Sequence, residues 1–170
     1  MSPQALQTLQ TLLQTLQEQI EVLEQSMERK AKENKASMVD NITSIPGIGA
    51  KTAIQLLIIT QGFSRFENAR QLCAYVGICP RIYESGTSVK GKAKISKLGM
   101  GRLRALLYMC AWSARKHNQA CKDLYERLLA KGKAKKLALV AVANKLLKQA
   151  FAVASKNLKY TENYAPLLVS

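Results

Sequence analysis

The chain is poor in the residues from which metal and acid–base sites are usually built. It has one histidine, His117, and its four cysteines, Cys73, Cys79, Cys110 and Cys121, include no C-x-x-C pair. A zinc site of ordinary ligand spacing is thereby excluded, and the cysteines read as reduced, mostly buried thiols. His117 follows Arg115 and Lys116 near an expected helix end. A surface or capping role suits it better than that of a general base. No apolar stretch reaches the roughly 18 residues that span a bilayer, and the start carries no signal-peptide pattern. The expected location is therefore cytoplasmic.

Acidic residues are also scarce. Eleven of them face 26 lysines and arginines, a formal net charge of +15, and a field of that size points to a polyanionic partner. The excess is unevenly placed. Residues 1–36 hold four of the basic and five of the acidic residues, so residues 37–170 carry a net charge of +16. With 170 residues, 48% of them hydrophobic, the chain is long enough for one compact domain with a core, plus an appendage.

The appendage comes first. Leu6, Leu9, Leu13, Leu16, Ile20, Leu23 and Met27 alternate in steps of three and four, which is the a/d seam of a left-handed coiled coil. Between them lie Gln, Thr and Glu, so the helix has one apolar stripe and needs a partner to cover it. Homodimerisation is the expectation, and an intramolecular hairpin or packing on the following domain is the alternative. The seam fails at Lys30, and Glu28 to Ser37 read as a fraying end or short linker. Residues 1–37 thus form a coiled-coil helix with its linker, and residues 38–170 a helical domain.

Within that domain, Ile45-Pro46-Gly47-Ile48-Gly49-Ala50-Lys51-Thr52-Ala53 resembles a helix-hairpin-helix element, which holds nucleic-acid backbones without reading sequence. The glycines permit a tight turn, and the next helix points its positive dipole end at the same place. Gly47, Gly49 and Lys51 would supply phosphate contacts; the alternative is a plain interhelical turn. Ser64 to Glu67 has capping-box spacing for a helix that ends near Gly77. From Gly77 to Gly101 helical periodicity disappears, and the short β-favouring pieces Ile82-Tyr83 and Ser88-Val89 flank Ser85-Gly86, as in a small hairpin or ordered loop. Lys90, Lys92, Lys94, Lys97, Arg102 and Arg104 then place six cations in 15 residues without one acid. Such a run repels itself unless an anion neutralises it. Further on, Trp112, Tyr125, Leu128 and Leu129 read as core, a break falls near Gly132, and Leu137, Val140, Ala141, Asn144, Leu147 and Phe151 form one face of a long last helix. The fold class expected is mainly α.

Taken in order, the coiled coil, Ile45-Pro46-Gly47-Ile48-Gly49-x-x-Thr52-Ala53, Phe66-x-x-Ala69-Arg70-Gln71-Leu72, Tyr75-x-Gly77-Ile78-x-Pro80, Ser85-Gly86, Ile95-Ser96-Lys97-x-Gly99, Leu103-Arg104-x-x-Leu107 and Gly132-Lys133 with Ala138-Leu139-x-Ala141-Val142-Ala143 resemble the C-terminal half of the insertion-sequence-110 family of transposases. The resemblance covers residues 5–160. It implies a prokaryotic DNA recombinase in which an N-terminal RuvC-like domain holds a divalent metal such as Mg on acidic residues. It also implies oligomers, a structured guide RNA, and Ser85 as the nucleophile that attacks a DNA phosphodiester and forms a phosphoserine. The chain departs from the family in lacking the acidic domain, and its 11 acids show no metal-binding cluster. It therefore resembles an excised fragment or truncated product, expected to bind DNA or RNA and to dimerise but not to recombine alone.

A serine hydroxyl is a poor nucleophile near neutral pH and needs a base or metal, plus cations for the developing phosphorane charge. The cationic run answers the second need, while the base is unidentified. Taken alone, Ser85-Gly86 is ordinary turn chemistry. Ser88 and Ser96 are competing hydroxyls, Ser96 being better suited to capping a helix. The alternative function is a non-catalytic dimeric helix-hairpin-helix module that holds nucleic acid through phosphates.

Overall fold

The computed structural model describes residues 2–81, 84–85, 89–90, 94–95 and 98–162, and the chain divides into two compact units, Met1–Ala36 and Ser37–Ser170. The first unit is most of helix α1 (Pro3–Thr43), which departs from helical geometry at Lys35 (φ −145°, ψ 38°). The stretch expected to be a fraying linker is thus helical, with its break confined to one residue. Glu, Arg, Lys and Ala are strong helix formers whether or not a seam runs through them, and the Asn34 side-chain amide donates to the Lys30 carbonyl (2.9 Å) just ahead of the break. Along this unit Leu6, Leu9, Leu13, Leu16, Ile20 and Leu23 are about half exposed or more, with Leu13 at 59%.

The second unit is mainly α. Val39 and Ile42, at the end of α1, are buried, and α2 (Ala50–Thr60), α3 (Ala69–Val76), α4 (Gly101–His117), α5 (Gln119–Ala130) and α6 (Lys135–Lys156) follow, with four two-residue strands among the described residues between α3 and α4. Helix α6 packs on α3, α4 and α5, and α2 packs on α4. The core is built from Leu103, Leu107, Ala111 and Ala114 of α4, with Leu139, Val142, Leu146, Leu147 and Ala150 of α6. This corrects the expected α6 face. Of the residues assigned inward, Leu147 is buried, whereas Leu137 is 48% exposed. Helix α6 is apolar on most sides, so periodicity alone does not choose its inward face. The packing uses the side where Ala138, Ala143, Ala150 and Ala154 let neighbouring backbones come close. By length and composition α6 also passes as a membrane span, with a mean hydropathy of 1.5, which the apolar-run reading missed; half of that window is buried inside the domain.

Caps set the remaining boundaries. The N-cap of α3 is Asn68 rather than the expected Ser64: the Asn68 side chain accepts from the Gln71 N–H, and the Gln71 Oε1 accepts from the Glu67 N–H. Asn118 caps α5 while fully buried. Its Nδ2 donates to Gln149 Oε1 (3.1 Å), Gln149 Nε2 donates to the Tyr160 hydroxyl (3.3 Å), and that hydroxyl donates back to Asn118 Oδ1 (3.4 Å). The ring satisfies polar groups that burial would otherwise penalise. Tyr160 N–H also donates to Ser44 Oγ (2.8 Å), and Asn41 Nδ2 to Asn157 Oδ1 (3.0 Å). The segment after α6 is thereby fastened to the end of α1.

Between α3 and α4 the chain leaves and re-enters the helical body at a crossing of two glycine-bearing segments. Gly77 (φ +75°) and Gly99 (φ +113°) both occupy conformations that side chains resist. A Cβ on Gly77 would overlap the Leu98 carbonyl oxygen, and one on Gly99 would lie 2.7 Å from that of Tyr75. Gly132 shares the positive φ (+69°) but has nothing within 4 Å.

The crossing makes two glycine substitutions unequal. Gly132→Ala should cost only its left-handed backbone, about 1 kcal/mol, whereas Gly77→Ala must also push the two crossing backbones away from each other and should cost roughly 3 kcal/mol or more. Equal losses in urea unfolding would show that the crossing is dispensable. Burial raises the thiols of Cys73, which also has Cys79 beside it, and of Cys121 from 9.0 to about 11. Because the folded values lie above the unfolded ones, the stability these thiols contribute is complete below pH 9 and lost as pH rises toward about 11. The loss is on the order of 2–3 kcal/mol per thiol. Unfolding free energies measured from pH 8 to about 11 should fall less steeply for Cys121→Ala than for the parent chain.

Candidate nucleic-acid interface

Helix α1 ends at Thr43 and α2 begins at Ala50, so the Ile45–Gly49 motif joins two helices. The Ile48 N–H donates to the Ile45 carbonyl (3.0 Å), with Pro46 and Gly47 (φ +103°) in the middle of the turn. This is type II turn chemistry, in which proline suits the second position and glycine the third. Ile45 and Ile48 are buried and anchor the turn. Gly47 is there for packing too: a Cβ on it would meet Ala114 Cβ at 2.6 Å. Gly49 is the N-cap of α2, is exposed, contributes no side-chain cap, and opens a first turn without an acid. Lys51 is exposed in that turn. The positive end of the α2 dipole thus faces outward at Gly49 to Lys51.

The segment carrying Ser85 is a pair of antiparallel ladders. Strand β1 (Pro80–Arg81) pairs with β4 (Lys94–Ile95), placing Pro80 opposite Ile95 and Arg81 opposite Lys94. Inside it in sequence, β2 (Glu84–Ser85) pairs with β3 (Val89–Lys90), placing Glu84 opposite Lys90 and Ser85 opposite Val89. Ser85 is therefore the last paired residue before positions 86–88. Two residues separate the ladders on the outgoing side and three on the return, so their registers differ by one. The expected Ile82-Tyr83 piece lies outside the described residues, and of the expected Ser88-Val89 piece Val89 stands in β3. Of the expected cations, Lys90 and Lys94 stand in β3 and β4. Lys92, Lys97, Gly86, Ser88 and Ser96 lie outside the described residues.

Arg102 and Arg104 open α4 and have different surroundings. Arg102 is exposed. Arg104 is partly buried, and its Nη1 donates to the Val76 carbonyl (2.8 Å) at the C-terminus of α3, where a cation also suits the negative end of the helix dipole. Arg104 thus clamps the base of the ladder segment beside the Gly77 crossing. The two candidate regions attach to α4 at different points. The Ile45–Gly49 turn meets α4 at Ala114 and the ladder segment is clamped at Arg104, ten residues apart on one helix and so roughly 15 Å along its axis.

Sequence reasoning placed Trp112 in the core, but it is 45% exposed, whereas Tyr125 is buried. Neither α4 periodicity nor residue type separates the two. The structural roles of Gly77, Gly99 and Asn118 were also missed as contacts, although Gly77 and Gly99 both stood in the motifs. Among the described residues no three His, Cys, Asp or Glu side chains stand together as metal ligands. A surface cavity of about 540 Å³ beside the end of α6 is lined by Lys145, Gln149, Val153, Leu158 and Tyr160, among others, and includes none of the predicted interface residues.

Comparison with known proteins supplies the identity. The pilin gene-inverting protein of Moraxella lacunata is 35% identical over 117 residues, covering 68% of this chain and 36% of that protein. The Moraxella bovis counterpart matches to the same extent. The transposase for insertion sequence element IS1111A of Coxiella burnetii is 30% identical over 145 residues, covering 84% of this chain and 39% of that protein. The chain thus spans little more than a third of the length of these relatives. Residues 39–126, just over half of the chain and running from the end of α1 into α5, match the family described as Transposase IS116/IS110/IS902, and the protein belongs to that transposase family.

Proposed function

We propose that this chain is the serine-bearing half of a DNA transposase. The observation that carries the reading is the position of Ser85 at the end of the inner ladder, in a segment whose base is clamped by the Gly77–Leu98 crossing and the Arg104–Val76 bond. Relatives named for inverting a gene and for moving an insertion element support DNA as the substrate. In this reading the Ser85 hydroxyl attacks a backbone phosphorus, the P–O bond to the leaving strand breaks, and that strand departs as a hydroxyl. A second strand's hydroxyl then attacks the phosphoserine, restores the phosphodiester and frees Ser85. One phosphoester bond forms for each one broken, so the exchange needs no external energy source.

The protein's own contributions are positioning and charge. Exposed Gly49 and Lys51 at the start of α2 hold a phosphate, with Gly47 shaping the turn, and the cations that follow Ser85 in the sequence, Lys90, Lys92, Lys94, Lys97 and Arg102, neutralise the DNA backbone. Arg104 acts by fixing the segment's base. The divalent metal implied by the family resemblance finds no three-ligand group among the described residues, so this reading assigns it to an acidic domain elsewhere in the full-length protein. A structured RNA is a second phosphate-bearing partner compatible with the same charge, and the cytoplasm is the compartment of action. The α1 seam joins two copies, since its leucines from Leu6 to Leu23 are about half exposed or more.

In a protein that includes the acidic domain, Ser85→Ala should abolish the covalent protein–DNA adduct seen on denaturing gels while leaving DNA affinity nearly unchanged. An adduct formed at the parental level by that variant would overturn the nucleophile assignment and leave a phosphate-binding module. For the seam, light scattering should give twice the chain mass for the parent and the single-chain mass for a Leu13→Glu, Ile20→Glu variant; a monomeric parent at high micromolar concentration would overturn dimerisation.

A further inference from the structure

The outward side of α4 has a composition that neither the core nor the strand-exchange reading uses. Arg102, Ala105, Met109, Trp112, Ser113 and Lys116 are all exposed, and at 100° per residue they fall within one arc of about 100°. The helix that carries them contains Arg102, Arg104, Arg115, Lys116 and His117 and no acid. Its apolar part is centred on Met109, 66% exposed, and Trp112, 45% exposed. Trp112 is also held in place. The Arg115 guanidinium lies 4.3 Å from the centre of the Trp112 ring and 5.5 Å from that of Tyr125, and the buried Nε of Arg115 has no hydrogen-bond partner. The guanidinium thus lies within cation–π reach of both rings, and Trp112 is stiffened by a cation at its face.

We propose that this side of α4 is a platform on which an unpaired nucleic-acid base stacks against Trp112, an inference that rests on the nucleic-acid reading above. A planar base suits a stiff, partly exposed indole, because stacking needs one open π surface and little loss of side-chain freedom. A phosphate next to that base meets Lys116, one helical turn away, and one a few nucleotides further along the strand meets Arg102, roughly 15 Å along the axis. A partner protein helix fits less well. It needs an apolar stripe sustained over several turns, and here the stripe is only Ala105, Met109 and Trp112, closed at its two ends by Arg102 and Lys116. Within a duplex no base face is free, so the platform selects strands that are melted, looped or single.

Trp112 is the only tryptophan of the chain, so its fluorescence reports on this site alone. Titrating the 170-residue chain with oligothymidylate should quench the emission, and a blunt duplex of equal length should quench it far less. By fluorescence anisotropy of labelled strands, Trp112→Ala should weaken single-strand binding roughly 5- to 150-fold with duplex binding unchanged, and Trp112→Phe should recover most of the loss. Thermal melts of both variants matching the parent would show that the fold is kept. Binding of both nucleic acids without quenching, and with Trp112→Ala at parental affinity, would overturn the platform and leave the nucleic-acid reading standing. Failure of the parent to bind either nucleic acid at low salt would overturn both. A change of oligomeric mass in Trp112→Ala with single-strand affinity unchanged would make this face a protein contact and overturn the platform.

Discussion

Close approach of one backbone to another, at points where a Cβ would not fit, sets the shape of the whole candidate interface. Gly47 lies against Ala114, Gly77 against the Leu98 carbonyl, and Gly99 against that of Tyr75. The first contact seats the interhelical turn on α4, and the other two gather the two legs of the ladder segment at the start of the same helix. Arg104 then bonds across to Val76. Helix α4 is thus the common support from which both phosphate-binding candidates project, and its small inward residues, Ala111 and Ala114, are fully buried. A rigid support matters for any chemistry on a polymer backbone, because reacting groups must be held in place before the strand arrives.

The second unit meets the cost of burying polar groups by closing them on one another. Asn118 caps α5 from inside the core and is held by Gln149 and Tyr160, while Ser44 and Asn41 tie the segment after α6 back to the end of α1. These bonds span more than a hundred residues of sequence. They fix where the Ile45–Gly49 turn begins, so the segment after α6 and the candidate phosphate-binding turn share one support. Helix α6, apolar enough to pass for a membrane span, is here the element that α3, α4 and α5 pack around.

Charge and apolar surface are divided between the units in a way that suits separate tasks. The first unit has almost balanced charge and an apolar seam. The second carries the entire cationic excess, with α4 and the first turn of α2 both lacking acids. A helix whose leucines are half exposed along its length has surface to bury, and a unit with this much like charge gains by binding a polyanion. The residue at which helical geometry fails, Lys35, lies one position before the end of the first unit.

Much of this was legible in the sequence because it depends on neighbours in the chain. The step of three and four along α1, the turn chemistry of Pro46-Gly47, the stops at Gly77 and Gly132 and the acid-free run from Lys90 to Arg104 are local patterns with local causes. What only the tertiary structure decided was which of several permitted faces turned inward. Helix α6 is apolar on most sides, Trp112 and Tyr125 are both aromatic, and Arg102 and Arg104 are the same residue two positions apart. Yet Leu137 and Trp112 are exposed, Tyr125 is buried, and Arg104 is engaged with Val76. The glycines show the same divide: positive φ at Gly77 and Gly132 follows from their helix-ending positions, but only the fold brings Leu98 against Gly77 and leaves Gly132 in open space. Periodicity and propensity act over a few residues, whereas inward faces, spent charges and backbone crossings are set by contacts between segments far apart in the chain.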